Sequence, residues 1–148
     1  MAINPYDLGR RFVGIAETPG LTSNPLILAM LQIVDPSVHD ESVAWCSAYV
    51  NFCCWLANLP MSHSLSARSW LRMGVPVDVS AAQRGDIVVL KRGNPPQPGP
   101  EVIQAPGHVG FFDRFDGTFV WVLGGNQGNS VSIAPFTYER VLGVRRVM

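Results

Sequence analysis

Charge is what this chain has least of. Only 15% of its 148 residues are Asp, Glu, Lys or Arg, against about 25% in a typical soluble domain. Eleven basic and eleven acidic residues cancel. Without a basic excess there is no footprint for nucleic acid, and no electrostatic pull toward an anionic membrane. Cysteine is scarce and odd in number. Cys46, Cys53 and Cys54 match neither a zinc pattern nor a CxxC redox pair, so at least one thiol is expected to be free. Long apolar runs are missing as well. Asp7, Arg10 and Arg11 interrupt the one place where a secretory apolar region could begin, so no signal peptide is expected. The longest uncharged stretch, Ser42 to Ala67, contains Asn51, Asn58 and Pro60, which leaves it short for a membrane span.

What is present is apolar side chain, 47% of the total. At this length that suffices for one domain with its own core, spanning residues 1–148, with no need of a disulfide scaffold or structural metal. Leu8, Phe12, Ile15 and Ala16 recur at helical spacing until Pro19-Gly20. Asn24-Pro25 reads as an N-cap and first helical position, and the helix continues from Leu26 to Val34. A central helix begins near Trp45, is apolar on most sides, and ends at Asn58 and Pro60. A shorter helix is expected over Ser66–Met73, before Gly74.

Beyond Gly74 the pattern changes to strands. Asp86–Leu90, His108–Phe112, Thr118–Leu123, Ser130–Ile133 and Val141–Val147 are the five expected, with a hairpin at Asp116-Gly117. Between them, Gly93 to Gly107 is too rich in proline and glycine for regular structure. It either shapes access to a site or is a surface insertion. Helices first and an antiparallel meander second predict an α+β fold with the helices on one sheet face.

The candidate chemistry starts at Cys46. It opens the central helix, where the dipole favours a thiolate and the first amides lack intrahelical partners. Cys53 and Cys54, two turns on, read as core. Of three histidines, His39 and His63 lie in solvated loops, whereas His108 opens an apolar strand and is the candidate base. With the hairpin centred on Gly117, His108 and Asn126 lie equally far from the turn and face each other across the ladder. Asn126 is then expected to orient the imidazole through Nδ1. A one-residue register change would hand that role to Gln127. Glu41 and Trp45 are the candidate cleft residues, with capping of the central helix the simpler reading for Asp40 and Glu41. Trp45, Trp55, Trp70 and Trp121 are possible sugar platforms, but Trp55 is expected in the core. Asp86 reads as a turn residue.

Several segments, in this order, resemble one family: Glu17-Thr18-Pro19-Gly20, Trp45-Cys46-Ser47-Ala48-Tyr49-Val50-Asn51, Ala67-Arg68-Ser69-Trp70-Leu71, Arg84-Gly85-Asp86-Ile87-Val88-Val89-Leu90, Gly107-His108-Val109-Gly110-Phe111, Leu123-Gly124-Gly125-Asn126-Gln127 and Val141-Leu142-Gly143-Val144-Arg145. They are similar to the NlpC-like and CHAP peptidoglycan hydrolases, in the compact branch found in phage lysins. The resemblance implies a papain-like α+β fold, Cys46 as nucleophile, His108 as base, and Asn126 or Gln127 as third residue. The glutamate common after the histidine in CHAP domains has no counterpart here. It also implies a cysteine hydrolase of bacterial peptidoglycan, free of metal and cofactor; the sequence does not show the oligomeric state, and a monomer is expected. An endopeptidase is expected, with an N-acetylmuramoyl-L-alanine amidase or a silent wall-binding module as alternatives. Without a signal peptide, it would reach the wall through a phage membrane hole, as an endolysin, or by a secretion machine, as an antibacterial effector.

Overall fold

The computed structural model describes residues 2–20 and 23–148. Three α-helices precede a six-stranded antiparallel sheet, with α1 at Pro5–Arg10, α2 at Pro25–Val34 and α3 at Cys46–Leu56. The strands are β1 Val75–Val77, β2 Ile87–Lys91, β3 Gly107–Phe115, β4 Phe119–Gln127, β5 Ser130–Thr137 and β6 Val141–Arg146. Their order across the sheet is β1-β6-β2-β3-β4-β5. This is the expected α+β arrangement with one strand more than the five anticipated. The extra strand, β1, is three residues long, carries Pro76 and pairs only with β6 at the sheet edge. Proline is confined to such edges because it cannot donate to a ladder, and the same proline hides the strand from a pattern reading.

The helices begin where short polar side chains cap them. Asn4 accepts the N–H of Tyr6, Asn24 that of Leu26, and a proline follows each as the first helical residue. α1 stops at Arg10 rather than running to Ala16. Beyond Gly14, in the left-handed region at φ 98°, the chain turns to pair with β5. There Gly14 donates to the Val131 carbonyl (3.0 Å), and Val131 donates to that of Ile15 (2.8 Å). Those sheet bonds replace the helical ones the apolar spacing suggested. The segment expected as an α-helix over Ser66–Met73 is a 3₁₀ helix, Ala67–Arg72.

α3 is the axis of the molecule. Every residue from Cys46 to Cys54 is buried, between α1 and α2 on one side and β3 and β4 on the other. Cys53 and Cys54 belong to this core, and burial raises both thiols, that of Cys54 to about 12. Trp55 does not belong to it. It is 54% exposed on the last turn, against the expected core position. β2 splits its side chains by strand alternation: Ile87 and Val89 join the helix-side core, while Val88 and Leu90 join a second cluster on the other face. Asp86, at the start of β2, is a buried carboxylate that takes two bonds from the Arg146 guanidinium and one from the Gln83 N–H. Among the described residues no helix is long and apolar enough to cross a membrane.

Candidate active site

Cys46 is the first residue of α3. The preceding Trp45 forms no side-chain cap, so nothing else claims the amides of the first turn. The nearby backbone amides of Val109, Ser47 and Cys46 itself favour the charged form of the sulfur. The sequence predicts a lowered thiol pKa, and the structure reverses the direction. Burial raises the thiol above its ordinary value, and the N–H groups and the charge of Arg92 offset this only in part. Burial thus favours the neutral thiol over the thiolate.

His108 lies near the start of β3, opposite Leu90 of β2. It is 8% exposed, and its ring centre lies 5.3 Å from that of Phe136, the two planes tilted by 30°. Burial pushes the imidazole below its usual value, the bond to Gln127 resists, and Arg92 adds to the lowering. Burial thus favours the neutral imidazole as well. No hydrogen bond joins Cys46 to His108 among the described residues. Val109, the residue after His108, has its backbone amide near the sulfur and lowers the thiol pKa.

The partner of the imidazole is Gln127, and it binds Nε2 rather than Nδ1. Gln127 Oε1 stands 2.9 Å from His108 Nε2. The amide nitrogen of Gln127 is fully engaged, donating to the Val122 carbonyl (3.2 Å), the Ser132 carbonyl (2.8 Å) and Ser132 Oγ (3.2 Å). Those acceptors leave only the oxygen to face the ring. Nε2 must therefore carry the proton, and Nδ1 keeps a free lone pair.

Asn126 makes no side-chain hydrogen bond among the described residues. It sits at φ 58° in a bulge, where the β4–β5 register shifts by one between Gly124 and Gln127. The ladder symmetry that predicts Asn126 holds through Phe111 and Leu123. The bulge then turns Gln127 toward the histidine. The two glycines before it have separate reasons. A Cβ on Gly124 would fall on Gln127 Oε1 and within 3.3 Å of His108 Nε2, and one on Gly125 would lie 2.7 Å from the Trp45 ring.

That last contact corrects another expectation. Trp45 is fully buried beneath Gly125 and is not a cleft residue. Glu41 is also buried at 8% exposure. Its carboxylate accepts the N–H of Thr18 (2.7 Å) and of Asn24 (2.6 Å), tying the approach to α2 rather than capping α3 or meeting substrate. Asp40 closes a local turn on Ser42. Trp70 is core, donating to Ser47 Oγ at 3.0 Å. Trp121 stacks under Arg114 near the hairpin turn. His39 and His63 are exposed, as expected.

Two cavities flank this arrangement. One of about 480 Å³ is walled by His108, Asn126 and Gln127, and one of about 530 Å³ by Cys46, Ala44 and Ala67. Arg92 and Gly93 line both. Among the described residues no cluster of His, Cys, Asp or Glu is arranged to hold a metal ion.

A family model, described as the CHAP domain, matches residues 38–126. The chain belongs to the CHAP family. Membership supports a cysteine hydrolase acting on peptidoglycan. The match contains Cys46 and His108 and stops one residue short of Gln127. Among solved structures, this CHAP domain is similar to NlpC1 from Trichomonas vaginalis, at 16% identity and a TM-score of 0.58, over 97% of this chain and 43% of that one. It is also similar to an NlpC/P60 family protein from Bacillus cereus ATCC 10987, at 19% identity and a TM-score of 0.56, over 99% and 40%. At such identities the likeness is one of fold, and the chain spans about two fifths of each of those proteins. The search of curated proteins gave no match.

The CHAP domain positions its histidine with residues that pattern reading does not single out. Arg68 is completely buried. Its guanidinium donates to the carbonyls of Pro106 (2.9 Å), Gly99 (2.8 Å), Val102 (2.9 Å) and Pro98 (3.0 Å). One side chain thus fastens the whole proline-rich segment that delivers Gly107 and His108. Nothing in the spacing of an isolated arginine reveals this, because its partners are backbone carbonyls 30 to 38 positions away. Ser132, which fixes the Gln127 amide, is equally silent in sequence.

Proposed function

We propose that this CHAP domain hydrolyses an amide bond within the cell-wall stem peptide, as an endopeptidase with Cys46 as nucleophile and His108 as base. The observation that carries the reading is the imidazole pinned through Nε2 by Gln127, which leaves Nδ1 as the proton acceptor, while Cys46 opens α3. Gln127 is then the orienting third residue, and Asn126 is not.

Because burial disfavours the charged form of both groups, attack and proton transfer belong to one step. As Sγ bonds to the carbonyl carbon, its proton passes to His108 Nδ1. The developing oxyanion is held by the uncapped amides at the start of α3, that of Cys46 first among them. When the tetrahedral species collapses, the C–N bond breaks and the imidazolium protonates the leaving amine. Water then attacks the thioester, giving one proton to His108. The carboxyl fragment leaves, and the thiolate recovers its proton from the imidazolium.

Mass spectrometry of the fragments released from purified peptidoglycan tests the choice of bond. An endopeptidase leaves a shortened stem on the glycan and frees the remainder. Release of intact stems beginning at the first residue would make the enzyme an amidase instead.

A further inference from the structure

The ionic side chains of this nearly neutral chain are unevenly spread. The cavity beside His108 is lined by Lys91, Arg92 and Arg140, with no Asp or Glu among its described lining residues. The salt bridges found among the described residues, Arg84 and Arg114 to Asp113 and Arg146 to Asp86, lie elsewhere and leave these three cations unpaired. Glu139 lines the adjoining cavity, alongside Lys91 and Arg140, and not this one. Arg140 is anchored, donating to the carbonyls of Lys91 (3.1 Å) and Gly93 (3.4 Å). It thereby holds the segment that carries Arg92. Arg92 itself is exposed, makes no hydrogen bond among the described residues, and stands where the Cys46 cavity meets the His108 cavity.

Direction follows from the chemistry. A general acid must reach the nitrogen that departs, so the fragment carrying the leaving amine lies along the His108 wall. We infer that this cationic half-cleft binds a free carboxylate on the leaving-amine side of the scissile bond, with Arg92 as its main donor and Lys91 and Arg140 as supporting charge. A guanidinium suits the task because its planar fork meets a carboxylate through two parallel hydrogen bonds. The specificity assigned is for an acidic peptide over its amidated form. Arg92 also affects the chemistry next to it, since its charge lowers the pKa of both Cys46 and His108.

The inference rests on the hydrolase reading, so its test separates binding from turnover. The probes are a wall stem peptide with its carboxylates free and the same peptide with them converted to carboxamides. Calorimetric binding to the Cys46→Ala protein is compared with binding to Cys46→Ala carrying Arg92→Gln. The expected result is at least about 10-fold tighter binding of the acid, as one charge-assisted pair supplies. Most of that preference disappears in the Arg92→Gln background, and it weakens as salt rises. Arg92→Lys, which keeps the charge but not the fork, restores part of it. Equal binding of acid and amide, binding of neither, or a preference untouched by Arg92→Gln would overturn the inference. Acid-selective binding without cleavage by the Cys46 enzyme would defeat the hydrolase reading and leave this one standing.

Discussion

The most consequential residue is Gln127, because it decides which nitrogen of His108 can accept a proton. Replacing it with alanine frees the imidazole to adopt the other tautomer, and kcat is expected to fall on the order of 10²-fold or more. Gln127→Glu keeps the acceptor and restores part of the rate. Asn126→Gly preserves the left-handed backbone at φ 58° and should change kcat by no more than about twofold, as its side chain touches no reacting group. Steady-state kinetics on soluble wall fragments decides between them, and a larger loss in the Asn126 variant would return the orienting role to that residue. The pH profile belongs to this scale too. Burial holds His108 below 6.5 and Cys46 above 9.0. Activity of the free enzyme should therefore lose its acid limb only below pH 6.5 and remain flat to at least pH 9. A thiolate–imidazolium pair formed at rest would instead give a bell.

Among elements, the segment before β3 and the bulge in β4 govern the site. Arg68→Met removes four bonds from a fully buried guanidinium to part-buried carbonyls and should cost about 3 kcal/mol in denaturant unfolding. It should also open the Gly93–Gly107 segment to limited proteolysis. Unchanged proteolysis would show that the segment holds without its guanidinium. Gly124→Ala would drive Gln127 Oε1 off His108, so it should lower kcat with far less effect on stability than Arg68→Met.

These two elements also show where the sequence is legible. Asn24-Pro25, the apolar run of α3 and the Asp116-Gly117 turn announce themselves, since caps, periodicity and turn residues are local signals. Cys46 and His108 were visible for the same reason: each opens a regular element. The bulge at Asn126 is set by backbone conformation and moves the partner one residue along. Trp45 and Glu41 look accessible in a list of residues, and only the packing of Gly125 and the amides of Thr18 and Asn24 bury them. The early end of α1 is likewise a tertiary effect, because β5 claims Gly14 and Ile15.

For the molecule as a whole, burial of His108 and of the three cysteines bounds the pH range of folding. In the unfolded chain His108 takes up its proton near pH 6.5, while the folded state refuses it until lower pH. The stability tied to the neutral ring is thus present above pH 6.5 and is lost as pH falls through the folded value. For Cys46 the order is reversed. The folded thiol keeps its proton after the unfolded one has ionised near 9.0, so stability declines as pH rises beyond that. A denaturation midpoint measured from pH 4 to 10 should form a plateau between those limits, and a maximum outside them would contradict the assignment.

In the proposed mechanism one helix would supply the nucleophile and its amides, one strand the base, and the bulge in the next strand the group that orients it. The central claim is that Cys46 acts on the wall as a nucleophile. Its most direct test is the release of new amino groups from purified peptidoglycan by the wild type and by Cys46→Ala, with the fold of both checked by circular dichroism. The account predicts steady release by the wild type and none above background from the variant. Equal release by a folded Cys46→Ala protein would contradict it.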